Sequence, residues 1–249
     1  MADSTSTASA ADTELHTVPT PDGPMRMYAA RPDAPANRAV IVLQEAFGVN
    51  DHIQDITRRY AARGLFAVAP DLFHRNGVGT LDYQQHAEAM PLIGAIGADA
   101  IVTDVGAVLA YLGTTENIPV SRAAIHGFCF GGRAAFTAAT AIPGLGATVV
   151  FYGPGIAAGP HAVLDRAKFI DAPMLLHVGA DDPTIPAEQV AAIDNALTEA
   201  GVTFESYVYA GAGHAFACDA RPHMYRPEPA QLAWQRTHEF LERQLPAGA

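Results

Sequence analysis

Gly127-Phe128-Cys129-Phe130-Gly131-Gly132 sets a thiol between glycines two residues to either side. The segment follows an apolar run at 122–126 (RAAIH) and precedes a helical pattern from about 131 to 141. A strand that turns straight into a helix, with a nucleophile at the turn, is a nucleophile elbow, here with Cys in place of Ser. The flanking positions need glycine because Cβ atoms there would clash across so tight a turn. The nucleophile itself is held in strained backbone at the helix N-terminus. The amide of Phe130 then points at the oxygen of an attacked carbonyl. The competing reading, a buried structural thiol, does not explain the glycines.

A nucleophile of this kind needs a base. His214 stands in Gly211-Ala212-Gly213-His214-Ala215-Phe216, after the run 203–209 (TFESYVY) and before the C-terminal helical pattern. A histidine in a glycine-rich loop can turn into a site. Of the other nine histidines, His126 and His177 fall inside apolar runs and read as core. The base needs an orienting acid, and Gly179-Ala180-Asp181-Asp182-Pro183 closes the run 173–178 (PMLLHV). Asp181 and Asp182 compete for this role, with one of them only capping the following turn; Asp182 is the preferred acid. The chain order nucleophile, acid, histidine is that of the α/β hydrolases. Gln44-Glu45-Ala46-Phe47-Gly48 ends the first core run, 38–43 (RAVIVL). The amide of Ala46 is a candidate second oxyanion donor. The carboxylate of Glu45, at the end of an apolar strand, needs a partner.

These groups need a frame. Strand-length apolar runs at 38–43, 65–69, 122–126, 147–152, 173–178 and 203–209 alternate with helical patterns. The helical stretches are one capped by Asn50 and ended by Gly64, then 98–112, about 131–141, 186–200 and 229–244. Strands apolar on both faces and separated by helices predict a mostly parallel sheet covered on both sides. Residues 25–30 are expected as an antiparallel edge strand in a hairpin. Functional groups collect at the carboxyl ends of such strands, which is where Glu45, Cys129, Asp182 and His214 fall. Residues 1–13 read as a flexible tail and 14–249 as a single domain.

Composition narrows the partners. The 249 residues are 49% hydrophobic and 16% charged, enough apolar material for a large core. The net charge is −11 and Lys168 is the one lysine, so neither nucleic-acid binding nor a Lys-bearing phosphate loop is expected. No apolar run reaches 18 residues, so no membrane span is expected. The N-terminus lacks the basic start and apolar core of a secretory signal, and two cysteines make no disulfide framework; a cytoplasmic location is the expectation. Without a His-Glu-x-x-His or a Cys/His pair at zinc spacing, no metal or other cofactor is expected.

Together these stretches, with Pro70-Asp71-Leu72-Phe73 and Phe151-Tyr152-Gly153, resemble the dienelactone hydrolase (carboxymethylenebutenolidase) family over about residues 14–245. The resemblance implies an α/β-hydrolase fold, a Cys129–His214–Asp182 triad, and a Glu45 that hydrogen-bonds the resting Cys129 thiol. At about 4 Å and an effective dielectric of 20, an ionised Glu45 would oppose a thiolate by roughly 4 kcal/mol. The helix N-terminus contributes something like 1–2 kcal/mol in its favour. Glu45 would therefore keep the thiol quiet unless His214 is charged. The best-known relatives clamp a substrate carboxylate with two arginines, one four residues after the catalytic His. Here that position is Cys218, and no Arg or Lys lies between Arg75 and Arg122. Arg75, Arg133, Arg221 and His86 are the remaining candidates for a cation. Cys218, with Phe47 and Tyr152, is expected to line the substrate pocket.

The expected activity is cleavage of a small ester or lactone through a thioester acyl-enzyme, by a monomer or small homo-oligomer. The alternatives are a broader carboxylesterase or thioesterase on the same triad, or a catalytically silent ligand-binding protein. The last would have lost a triad residue, and none is missing.

Overall fold

Ala39, Ile41 and Leu43 point to one side of their strand and Val40 and Val42 to the other, and all five are fully buried. A strand apolar on both sides is stable only with cover on both sides, and that sets the architecture. In the computed structural model, which describes residues 12–248, eight strands form one sheet. They are β1 (Asp12–Thr20), β2 (Gly23–Arg31), β3 (Ala39–Leu43), β4 (Phe66–Pro70), β5 (Ala123–Phe128), β6 (Ala147–Phe151), β7 (Met174–Gly179) and β8 (Phe204–Tyr209). Their order is β1-β2-β4-β3-β5-β6-β7-β8, antiparallel from β1 to β4 and parallel from there to β8.

Six α-helices cover the sheet: α1 (Asp51–Ala61), α2 (His86–Ala95), α3 (Ala98–Thr115), α4 (Phe130–Ala139), α5 (Ala187–Glu199) and α6 (Pro227–Gln244). The core divides by face. Ile41 and Leu43 pack with Ile101, Val105 and Leu112 of α3, Phe136 of α4 and Ile193 of α5. Val40 and Val42 pack with Ile53, Ile56 and Tyr60 of α1 and Phe240 and Leu241 of α6. Asn50 caps α1 as expected, its side chain accepting from the amide of Ile53 at 3.1 Å. No single helix among the described residues is long and apolar enough to cross a membrane.

Three expectations change. Asp12 and Thr13, read as part of a flexible tail, open β1 and pair with Arg31 and Ala30; residues 1–11 of that tail lie outside the described residues. β1 escaped the sequence reading because it is a polar, largely exposed strand with a single buried residue, Val18. Residues 25–30 do lie in a hairpin strand, but β1 and not β2 forms the sheet edge. Helix α2 was not anticipated: it carries Pro91 and buries little more than Ala89, so its sequence shows no apolar stripe.

Candidate active site

The loops that leave β3, β5, β6, β7 and β8 at their carboxyl ends carry Glu45, Cys129, Tyr152, Asp182 and His214. Cys129 is the turn residue between β5 and α4, at φ 53° and ψ −118°, a region that side-chain-bearing residues seldom occupy. Its amide donates to Phe151 O at 3.0 Å, and its carbonyl accepts from Gly132 and Arg133 in the first turn of α4. The glycines are there for space. A Cβ on Gly127 would lie 1.8 Å from Gly131 O, and one on Gly131 would lie 2.3 Å from Leu43 O and 2.5 Å from Gln44 O. The second contact also presses the start of α4 against the end of β3. Phe130, first in α4, therefore shares this corner with Ala46, which is buried in the loop after β3. Amides in the first helical turn have no carbonyl of their own helix to bond, so that of Phe130 is available to an oxyanion.

Asp182 and His214 meet because the loops after β7 and β8 are laced together; the Asp181 amide donates to Ala212 O at 2.9 Å. Asp182 is 2% exposed, and its Oδ2 lies 2.8 Å from His214 Nδ1. Its Oδ1 accepts from the Thr184 amide at 2.9 Å and from Thr184 Oγ1 at 2.7 Å. Asp181 is exposed, so of the two neighbouring acids it is Asp182 that faces the histidine. Burial works against the Asp182 carboxylate, but His214 and Thr184 outweigh it and hold its pKa below the ordinary value. For His214, burial disfavours the imidazolium. The Cys129 sulfur and Asp182 act in the other direction and push its pKa up to about 10. His126 and His177 are fully buried core residues as expected, bonded to Tyr60 and to Tyr209 and Thr237. Burial pushes His177 down to about 3.

Tyr152, at φ 38°, is fully buried with its ring 5.3 Å from that of His214 and 5.5 Å from that of Phe216. Its hydroxyl has no hydrogen-bond partner among the described residues. Burial, then the charges of Glu45, Cys218 and Cys129, raise its pKa far above the ordinary value, so it is a neutral phenol.

Glu45 departs from the expected contact. Its Oε2 accepts from the Tyr83 hydroxyl at 3.4 Å and from the Cys218 thiol at 3.8 Å, and its Oε1 has no partner among the described residues. No hydrogen bond between Glu45 and Cys129 is found among the described residues. Burial and the charge of Glu45 push the Cys218 thiol up to about 12. Tyr83 is the residue the sequence reading missed. It lies in an aperiodic loop, 38 residues from Glu45 and 135 from Cys218, and nothing local marks it. Its ring meets Phe47 edge-on at 4.9 Å, with the Arg221 guanidinium 5.0 Å above it and 5.6 Å from the ring of Phe47. Cys218, Phe47 and Tyr83 thus form one wall.

The candidate cations separate. Arg75 is held by Asp104 at 2.7 Å and by Asp22 at 2.7 Å, and His86 is exposed at the start of α2. Arg133 lies over the ring of Phe130, where burial lowers its pKa and Cys129 raises it. A cavity of about 450 Å³ opens beside the wall, lined by Asn50, His52, Leu81, Tyr83 and Ala220 among others. No metal was expected from the sequence, yet Glu45, His52 and Cys218, all buried, each bring one ligand atom within 4.8 Å of the other two.

The family whose model matches this chain, over residues 25–245, is described as the dienelactone hydrolase family. A Yersinia pestis protein, provisionally named a carboxymethylenebutenolidase, is 37% identical over 232 residues, covering 90% of this chain and 86% of that one. A Synechocystis protein under the same provisional name is 34% identical over 244 residues, covering 94% and 97%. A solved Klebsiella pneumoniae structure, described provisionally as a dienelactone hydrolase, superposes with a TM-score of 0.83 at 33% identity over 93% of this chain and 98% of that one.

Proposed function

The chain belongs to the dienelactone hydrolase family, and from that premise we propose that this hydrolase of esters or lactones works through Cys129, His214 and Asp182 and a thioester intermediate. The observation that carries the reading is the buried Asp182–His214 contact at 2.8 Å, with His214 also interacting with the thiol of Cys129, which sits in strained backbone.

The Cys129 sulfur attacks the carbonyl carbon, and the π electrons move onto the oxygen. The amides of Phe130 and Ala46 hold that oxyanion. Its collapse breaks the ester C–O bond, and the departing oxygen takes the proton carried by His214 Nε2. Water then attacks the thioester carbonyl and gives a proton to Nε2. The second collapse breaks the C–S bond and returns the sulfur as thiolate beside imidazolium. Asp182 keeps Nδ1 protonated and Nε2 turned toward the sulfur. Glu45 is bonded to Tyr83 and Cys218 and makes no hydrogen bond to Cys129 among the described residues.

The substrate we propose is a neutral short-chain ester or lactone. Cys218 occupies the position from which relatives reach a substrate carboxylate, and it carries no charge; Arg75 is taken up by two acids. The test of the chemistry is p-nitrophenyl acetate hydrolysis by Cys129→Ala, where kcat/KM falls by at least ~10³, as when a triad member is removed. Activity near that of the unmodified protein overturns the reading.

A further inference from the structure

We propose that Glu45, His52 and Cys218, on the wall beside the Cys129–His214–Asp182 group and using none of those three residues, form a binding site for a zinc ion. Glu45 leaves the end of β3, His52 is the second residue of α1, and Cys218 follows β8. The three are 173 residues apart at their extremes, and no local motif joins them. One ligand atom from each lies within 4.8 Å of the other two, and Glu45 Oε2 stands 3.8 Å from Cys218 Sγ. Tetrahedral zinc, at its usual bond lengths to sulfur, nitrogen and oxygen, holds ligand atoms about 3.3–3.6 Å apart. Small side-chain shifts close the set.

Two buried polar atoms point to a ligand. His52 is 5% exposed, and its Nε2 has no hydrogen-bond partner among the described residues; the same holds for Oε1 of Glu45, which is 1% exposed. An unpartnered buried nitrogen or carboxylate oxygen is costly in a folded protein, and a metal ion would satisfy both. The other His52 nitrogen is already placed. Its Nδ1 lies 3.2 Å from Asp219 Oδ1, and Asp219 is held in turn by Arg59 at 2.5 Å. A carboxylate behind an imidazole is the arrangement that turns the far nitrogen toward a metal and raises its basicity.

The donor set selects the ion. One thiolate and one imidazole favour zinc over magnesium or calcium, which take oxygen ligands. The carboxylate and the thiolate together cancel the charge of a divalent ion, so the loaded site is neutral. Binding forms the Zn–S bond and releases the thiol proton to solvent; nothing is oxidised or reduced. The Tyr83 hydroxyl, 3.4 Å from Glu45 Oε2 and 3.5 Å from Cys218 Sγ, borders the fourth position. The 450 Å³ cavity lined by His52 and Tyr83 gives the ion a route in.

The experiment uses the whole protein, reduced, stripped with a chelator and dialysed. Zinc is then titrated against a chromophoric chelator, and cobalt is added separately as a spectroscopic probe. One equivalent of zinc binds, and cobalt develops thiolate charge-transfer absorption. Both survive Cys129→Ser. His52→Gln and Cys218→Ser each weaken zinc binding by at least ~100-fold, and Asp219→Asn, one step removed, by about 10–100-fold. Circular dichroism checks the fold of each variant. Where Cys218→Ser does not fold, cobalt on Cys129→Ser decides, because Cys129 and Cys218 are the two thiols of the chain. No cobalt–thiolate absorption in that variant overturns the proposal. So does zinc binding that is unaffected by Cys218→Ser and His52→Gln, or binding lost with Cys129→Ser, which would put the ion on the nucleophile instead.

Discussion

Replacing Asp182 by Asn tests the proposed catalytic arrangement most directly, because Thr184 dictates how the new amide must sit. Two donors, the Thr184 amide and hydroxyl, converge on Asp182 Oδ1 at 2.9 and 2.7 Å. In Asp182→Asn they retain the amide oxygen, and the NH₂ is left facing His214 Nδ1. The histidine must then accept at Nδ1 and carry its proton on Nε2, the wrong tautomer for taking a proton from water. The ion pair is lost as well. At 2.8 Å and an effective dielectric of 20, its Coulomb attraction is about 6 kcal/mol before desolvation is set against it. A fall of ~10³–10⁴ in kcat/KM, about 4–5.5 kcal/mol, is the expected outcome, with KM changed little. The assay is p-nitrophenyl acetate hydrolysis by both proteins at pH 7–8, with the Cys129 alkylation rate recorded alongside. Activity within ten-fold of the unmodified protein would refute the reasoning and assign the orienting role elsewhere.

Three further outcomes are expected. His214 titrates near pH 10 by ring-resolved NMR in the unmodified protein. In Cys129→Ser, where the sulfur is removed, its titration returns toward the ordinary histidine range near 6.5; an unchanged midpoint would show that Cys129 does not act on it. Gly127→Ala drives a Cβ into Gly131 O and should cost about 3 kcal/mol or more in urea unfolding; a loss under 1 kcal/mol would mean that the elbow is not close-packed. Cys218→Arg should shift kcat/KM toward a carboxylated lactone over its neutral counterpart by roughly 10–100-fold, the worth of a charge-assisted contact. A strong preference for the carboxylate in the unmodified protein would instead identify Arg221, over Tyr83, or Arg133 as the clamp.

What could be read in the sequence was what chain neighbours settle. Gly127, Cys129 and Gly131 meet across four residues, so their spacing alone announces the turn. The strands β3 to β7 showed themselves because burial on both faces demands largely apolar runs, while β8, mostly half-buried, showed itself as a short run rich in aromatic and β-branched residues. Asp182 and His214 were legible through their places after consecutive strands. β1 and α2 hid because neither presents an apolar face of its own. Glu45 was correctly marked as needing a partner, but its partners depend on how two distant loops fold over it. Tyr83 and Cys218 reach it from 38 and 173 residues away, and His52 joins them by the same convergence. Nothing periodic encodes such meetings.

Cys129 is foremost among the groups that raise the proton affinity of His214, and in the proposed chemistry the charge on its sulfur is transient. When the sulfur becomes a thioester it is neutral, and the imidazolium loses its strongest reason to keep its proton. That proton is let go just as the departing oxygen requires one, and the ring left behind is a competent acceptor when water arrives. Breaking the thioester restores the charge and resets the ring. In the proposed reaction the order of proton movements would thus follow the covalent state of one sulfur atom.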